Sequence, residues 1–293
     1  MTHFGRGTLP GFHEGELAVQ RRAGTEEEAA RLTGMMAPAE LGGGVARFLA
    51  DRTFAAVTAR DEDGALWISP LVGPPGFLHV ASPARLRVRA VPAEGDPLRR
   101  LRAGQAVGLI VVDFAIRRRL RVNGTLAGVG GGELGVDVEQ AYGNCPQYIQ
   151  SRHVLPAADS RPDADAVRRG SGVTDDDAAL IRRSDTFLIG SAHPTRGNDA
   201  SHRGGPPGFV RVDNGRLWWP DYWGNNMFNT LGNIAVDPSA ALLFCDFTTG
   251  RTLHLSGRAD LEWLSPGASG DDDHTGRRVH FTPRQVVAGH ALR

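Results

Sequence analysis

Apolar residues run in short blocks along this chain, and the blocks come in two sets. The first set opens at Val45 to Asp51, where Val45, Phe48 and Leu49 fall on one helical face. Thr53 to Ala59 follows as a strand, Asp61-Glu62-Asp63-Gly64 as a hairpin turn, and Ala65 to Ser69 as a second strand. A third strand starts at Gly76. Ala106 to Phe114 is a nearly continuous apolar strand, and Leu120 to Ala127 returns from the turn Ala115 to Arg119. The second set repeats the plan. Ala178 to Arg182 reads as the helix, with strands Thr186 to Ser191 and Gly208 to Val212. A turn at Asp213-Asn214-Gly215 leads to Leu217 to Trp219, and Ala240 to Phe247 with Thr252 to Leu261 reads as a closing pair. A helix followed by about six short antiparallel strands, twice, predicts two small β-barrels.

Identities support the doubling. Gly73-Pro74-Pro75-Gly76-Phe77 recurs 132 residues later as Gly205-Pro206-Pro207-Gly208-Phe209. Thr53-Phe54 recurs as Thr186-Phe187, an offset of 133. At the same offset, Asp113-Phe114, Arg118, Leu120 and Gly124 recur as Asp246-Phe247, Arg251, Leu253 and Gly257. The spacing predicts a tandem duplication of a unit of about 110 residues, an ordinary domain size. Two copies of one unit are expected to pack as a pseudo-dimer with a ligand cleft between them. The expected divisions are a helical arm over 1–44, a first repeat over 45–152, a linker over 153–176 and a second repeat over 177–293. In the arm, Gly15 to Arg22 predicts a short helix and Thr25-Glu26-Glu27-Glu28 another helix start. Within the linker, His153 to Val173 is rich in Pro, Asp, Gly and Ser. Pro266 to Gly276, with Asp271-Asp272-Asp273, reads as a loop insertion.

Composition narrows the chemistry. Hydrophobic residues make up 41% of the chain, enough for two cores, yet no apolar run approaches the ~18 residues of a membrane span. Met1 to Gln20 lacks the apolar stretch of a signal peptide, so a cytoplasmic protein is expected. Neither Cys145 nor Cys245 belongs to a CxxC pair, which argues against a zinc site or a disulfide framework. Net charge is zero, unlike the surplus positive charge of nucleic-acid binders. All 33 basic residues are arginine, so lysine chemistry is excluded and any phosphate must be held by guanidinium, hydroxyl, amide or backbone N–H groups. His193, His202 and His254 lack metal-ligand spacing, so no metal is expected.

Repeat two carries Asp199-Ala200-Ser201-His202-Arg203-Gly204-Gly205-Pro206-Pro207-Gly208-Phe209-Val210 and Pro220-Asp221-Tyr222-Trp223-Gly224-Asn225-Asn226-Met227, then Thr230-Leu231-Gly232-Asn233. With the strand from Gly250-Arg251-Thr252-Leu253 to Gly257-Arg258-Ala259, this resembles the pyridoxamine 5′-phosphate oxidase-like family of FMN-binding split barrels. Asn144-Cys145-Pro146-Gln147-Tyr148-Ile149-Gln150 resembles the closing segment of the same family, here at the end of repeat one. The resemblance implies a mainly β fold of two tandem split barrels, packed as an intrachain pseudo-dimer around non-covalent FMN. The chain would be a monomer with pseudo-dimeric repeats or a homodimer, acting on a small-molecule substrate or electron donor without nucleic acid or membrane.

FMN presents a dianionic phosphate, a ribityl chain and a flat ring. For the phosphate, Arg203 with Ser201, His202 and Gly204 is the first candidate group, the paired glycines letting the backbone approach closely. Asn225, Asn226 and Met227, at a predicted helix start, are the second. The alternatives are a tight turn for the glycines and a helix cap for the asparagines. For the ring, Tyr222, Trp223 and Trp67 are candidates, with Asn144, Gln147 and Tyr148 arriving from repeat one, unless that segment merely packs on the barrel. In Arg117-Arg118-Arg119-Leu120-Arg121, Arg118 matches Arg251, and one arginine of the run is a candidate phosphate clamp; a solvated strand edge is the other reading. His202 could also donate a proton, and Cys145 reads as a buried structural cysteine or a thiol near the ring.

Repeat one has Ser69-Pro70-Leu71-Val72 where repeat two has Ser201-His202-Arg203-Gly204, and it lacks a Gly-Asn-Asn. One FMN per chain is therefore expected; a second would need Arg85, Arg87 or Arg89. The expected function is an FMN-dependent oxidoreductase moving electrons between a reduced nicotinamide, or other donor, and an unidentified small acceptor. The alternative is a non-catalytic flavin, deazaflavin or haem binding protein. Pyridoxamine phosphate oxidation is not indicated, because a second phosphate-bearing ligand needs its own basic cluster.

Overall fold

Strand alternation sends successive side chains to opposite faces, and in several strands of this chain both faces are buried. The structure, a computed structural model, describes residues 11–37, 40–152 and 167–292. In β1 (Phe54–Arg60), Ala55, Val57 and Ala59 enter one apolar core while Phe54 and Ala56 enter another. β5 (Ala106–Asp113) divides the same way, with Val107, Leu109 and Val111 on one side and Ile110 and Val112 on the other. Repeat two does likewise through β9 (Thr186–His193) and β13 (Ser239–Cys245). Burial on both faces is why these segments read as continuous apolar runs.

The first sheet is completed by β2 (Leu66–Val72), β3 (Leu78–Ser82), β4 (Arg85–Val88), β6 (Arg118–Gly130) and β7 (Glu133–Gly143). The second adds β8 (Arg168–Gly170), β10 (Gly197–Gly204), β11 (Arg211–Asp213), β12 (Arg216–Pro220), β14 (Arg251–Trp263) and β15 (Arg277–His290). Strand order is β2-β1-β5-β6-β7-β4-β3 in one and β10-β9-β13-β14-β15-β12-β11 in the other, with β8 added beside β15. All pairings are antiparallel and the two orders are the same, so the halves share one topology.

The third core is the seam. Phe54, Ile68, Ile110 and Phe114 from repeat one meet Leu188, Ala200, Ala241 and Leu243 from repeat two. Fully burying each large apolar side chain is worth about 2 kcal/mol, so the seam binds the halves as a core does. Glycines let the backbones close: a Cβ on Gly108 would stand 2.7 Å from the backbone of Asn198 and Asp199.

Register corrects the repeat alignment. Phe54 pairs with Val72 as Thr186 pairs with Gly204, which sets the offset of this strand pair at 132. The Thr53-Phe54 and Thr186-Phe187 match at 133 is therefore one residue out of phase. Phe54 faces the seam, whereas Phe187 faces the second barrel's interior.

Among the described residues, five strands escape the hydrophobic pattern, the short β4 and β8 among them. β10 carries Asp199, Ser201 and Arg203 on one face, so it shows no apolar alternation. β7 and β15 extend each repeat past the expected closing strand, and β15 lies between β14 and β12. Most of the expected linker, 153–166, lies outside the described residues, as do the arm's residues 1–10 and 38–39. Helix α4 (Asp175–Arg183) starts in a capping box between Thr174 and Asp177. Among the described residues, no helix is long and apolar enough to cross a membrane.

The arm forms α1 (Glu14–Ala23), α2 (Glu26–Ala30) and a 3-10 turn, followed by α3 (Gly43–Ala50) in repeat one. α1 crosses α5 (Asn229–Val236) of repeat two through Gly15 and Gly232, where a Cβ on Gly15 would stand 2.2 Å from the Gly232 carbonyl oxygen. Glu16 is buried at this crossing; it accepts the His13 N–H and the Asn229 side-chain amide. Burial pushes the Glu16 carboxyl up to about 7 despite those hydrogen bonds. The folded arm then keeps a proton that the unfolded chain releases near 4.5, so this group's contribution to stability falls as pH rises from about 4.5 through about 7. His13, pushed down to about 4 by burial, acts with the opposite sign between about 4 and 6.5, so wild type alone masks the effect. Comparison with Glu16→Gln isolates it. Between pH 4.5 and 8 the variant should gain roughly 2–4 kcal/mol relative to wild type in urea unfolding. Parallel pH profiles for the two chains would contradict this.

Candidate functional site

The cleft lies where β6 and the segment after β7 in repeat one meet β10 and the β12–α5 connection in repeat two. It contains about 620 Å³ including its open mouth. Leu120 and Val122 point into the first barrel, which leaves Arg119, Arg121 and Asn123 on the opposite face of β6. Three guanidinium groups converge here, Arg119 and Arg121 from β6 and Arg203 from β10.

They are held differently. Arg121 is buried with every nitrogen engaged: Nη1 donates to Asp199 Oδ2 at 2.8 Å, Nη2 to Ser201 Oγ at 2.7 Å, and Nε to Asn144 Oδ1 at 2.9 Å. Asn123 donates to the other oxygen of Asp199 at 3.1 Å. Among the described residues, Arg119 donates to the ring of His202, at 2.8 Å, and its buried Nε has no hydrogen-bond partner. Burial and the charges of Arg121 and Arg203 push Arg119 down to about 9. Arg203 is likewise lowered, by burial first and by Arg121, with Asp221 acting in the other direction. Asp221 is itself paired with Arg277 at 2.9 Å. The cleft thus holds more buried positive charge than its carboxylates balance. A buried, unneutralised charge is costly, and an incoming dianion removes that cost. This donor set fits a phosphate.

Arginine can only donate, so Nδ1 of His202 accepts from Arg119 and its Nε2 carries the proton toward Thr186 Oγ1 at 3.4 Å. Burial and the neighbouring arginines hold His202 well below the usual histidine range. It is therefore a neutral residue that orients Arg119, with its one N–H directed at Thr186.

The opposite wall is aromatic. Tyr148 stacks on Tyr222 at 5.1 Å between centroids, and Tyr222 on Phe209 at 6.2 Å. Trp223 stands at the rim, 46% exposed. The crossing depends on Gly204, where a Cβ would fall 2.0 Å from the Tyr148 carbonyl oxygen. Gly204 thus makes room for the repeat-one segment.

Of the residues expected from sequence, Ser201, His202, Arg203, Gly204, Tyr222, Trp223, Asn225, Asn144, Gln147 and Tyr148 line this cleft. Four do not. Trp67 is buried in the first barrel, donating Nε1 to Asp61 at 2.8 Å, and by register it corresponds to Asp199. Arg118 is exposed and lies 5.3 Å from the centre of the Phe48 ring. Met227 is buried against Met36 and Tyr142. Asn226 takes a left-handed φ of 58° at the connection into α5, whose first residue, Asn229, meets Glu16 of the arm. Cys145 is exposed and lines the cleft, so the buried structural cysteine expected there is corrected. The sequence offered one arginine of the Arg117 to Arg121 run as a phosphate clamp and singled out Arg118; the phase marked by Leu120 and Val122 places Arg119 and Arg121 in the cleft instead.

The pseudo-symmetric position is filled. Leu71, Thr252 and His254 stand where Arg203, Arg119 and Arg121 stand, and all three are buried. His254 donates Nδ1 to the Ile68 carbonyl at 3.0 Å, and Asp96 accepts from Ser69 at 2.6 Å. Arg85 pairs with Asp137, and Arg87 and Arg89 with Glu133, all on the exposed side of repeat one. His13, Glu14 and His193 lie close enough to share an ion. However, the acceptor nitrogens of both rings are occupied by backbone N–H groups of Gly15, Thr195 and Arg196.

A family model described as pyridoxamine 5′-phosphate oxidase matches residues 173–266. No curated protein matches the chain. Similar solved structures include HupZ of Group A Streptococcus, 11% identical with a TM-score of 0.33, covering 39% of this chain and 91% of that one. A structure described as a putative pyridoxamine 5′-phosphate oxidase from Lactobacillus delbrueckii has the same identity and TM-score, 11% and 0.33, over 39% of this chain and 93% of its own. HutZ, the haem storage protein of Vibrio cholerae, is 9% identical with a TM-score of 0.31, over 41% and 98%. Nothing about ligand or activity passes from these structures to this chain. The family match falls on the repeat that contributes β10 and the β12–α5 connection to the cleft, and the chain is a tandem pair of antiparallel split barrels of one topology, joined along one seam.

Proposed function

We propose that the seam cleft binds one FMN and that the protein is an FMN-dependent oxidoreductase. The observation that carries this reading is the convergence of Arg119, Arg121 and Arg203 with more buried charge than Asp199 neutralises. Arg119 and Arg203 would take the phosphate, with Arg121 fixed behind them by Asp199 and Ser201. Tyr148, Tyr222 and Trp223 would cover the ring and exclude water. Bound FMN would supply two-electron transfer between a reduced nicotinamide or similar donor and a small acceptor. Burial raises the hydroxyls of Tyr148, to about 12, and of Tyr222, so both keep their protons and serve as donors and packing surface. His202 is committed through both ring nitrogens, which weighs against haem ligation by that residue. The test is anaerobic addition of NADPH to the FMN-loaded chain. Loss of the flavin's visible absorbance is expected; tightly bound FMN that stays oxidised with every nicotinamide tried would leave a binding protein without turnover.

A further inference from the structure

The β14–β15 hairpin is closed by a long loop, 264–276, whereas the equivalent β6–β7 hairpin turns through Gly131 and Gly132 alone. The extra residues fold back onto the cleft. Asp271 organises the loop: it accepts from Gly267 N at 2.9 Å, Gly276 N at 2.8 Å and Thr275 N at 2.9 Å. Thr275 Oγ1 then donates to the Asp221 carbonyl at 2.7 Å, and Arg211 pairs with Asp272 at 2.7 Å, tying the loop to repeat two. Asp273 reaches across the cleft mouth. Its Oδ2 accepts from Trp223 N at 2.8 Å and from the Tyr148 hydroxyl at 3.2 Å, and its carbonyl accepts from Trp223 Nε1 at 2.9 Å. Tyr148 is contributed by repeat one and takes a left-handed φ of 63°, a conformation that needs such support.

We infer that the 264–276 loop is a clasp, and that Asp273 controls how fast the cleft's ligand leaves by tying Tyr148 to Trp223 across the seam. This rests on the cleft being the FMN site. Asp273 is a positioning residue, since its carboxylate acts through the Tyr148 hydroxyl and the Trp223 backbone. A clasp that must open before release slows dissociation, so its loss shows in the off-rate.

The experiment uses the full chain with FMN as probe and follows flavin fluorescence after rapid dilution. Asp273→Ala should raise the dissociation rate at least about tenfold while changing the association rate less. Tyr148→Phe removes one hydroxyl, keeps the ring that stacks on Tyr222, and should raise the off-rate to a smaller extent. Asp273→Asn retains an acceptor and should restore part of the slow release. The double variant Asp273→Ala/Tyr148→Phe should be no faster than Asp273→Ala, because both remove the same tie. Wild type that binds FMN, with an unchanged off-rate in both single variants, overturns the clasp alone. Wild type that binds no FMN overturns the flavin reading, and the clasp with it.

Discussion

Replacing Arg203 by methionine should weaken FMN binding roughly 30- to 100-fold and leave the flavin-free chain at least as stable as wild type. The loss follows from removing a charge-assisted hydrogen-bond donor from a buried anion site, worth about 2–3 kcal/mol. The stability follows from the same charge. Burial works against the charge of Arg203 more strongly than Asp221 supports it, so its removal relieves a desolvation cost, while methionine keeps the apolar stem packed. A binding site that costs stability until its ligand arrives behaves this way. Titration by flavin fluorescence gives the affinity, and thermal melts of the flavin-free chain give the stability. Unchanged affinity, or a large drop in melting temperature, would contradict the role assigned to this arginine.

Gly204→Ala should have the second large effect. The added methyl would meet the Tyr148 carbonyl oxygen at 2.0 Å, and a backbone atom cannot step aside as a flexible side chain can. Overpacking of this kind costs about 1–3 kcal/mol. The repeat-one segment must move outward, carrying Tyr148 away from Tyr222 and Asp273. Both thermal stability and FMN affinity should fall, the latter at least about tenfold if the Tyr148 contacts are lost. Substituting Gly143, where a Cβ would have 3.8 Å to its nearest neighbour, provides the contrast and should change neither by much. Equal behaviour of the two variants would mean that the crossing at Gly204 does not shape the site.

The duplication is legible in the chain for a local reason. Gly76 and Gly208 adopt φ values of 90° and 87°, which favour glycine, so the Gly-Pro-Pro-Gly-Phe turn survives in both copies. The seam-forming strands are legible because both their faces are apolar. β10 is not, because its polar face serves the cleft: Ser201 and Arg203 line it and Asp199 holds Arg121, in place of the apolar residues that would reveal a strand. Trp67 and Arg118 were misplaced for lack of phase. Which face of β2 or β6 looks into the barrel is set by tertiary pairing, and a shift of one residue exchanges Arg118 for Arg119. The clasp was visible as an acidic insertion, but its partners, Tyr148 and Trp223, lie 125 and 50 residues away from Asp273 and meet it only in the fold.

One cleft carries three converging arginines, while its pseudo-symmetric counterpart is packed with Leu71, Thr252 and His254. Counting the FMN bound per chain at saturation, in a calorimetric titration of the purified protein, tests that asymmetry most directly. One equivalent is predicted; two equivalents, or none, would contradict it.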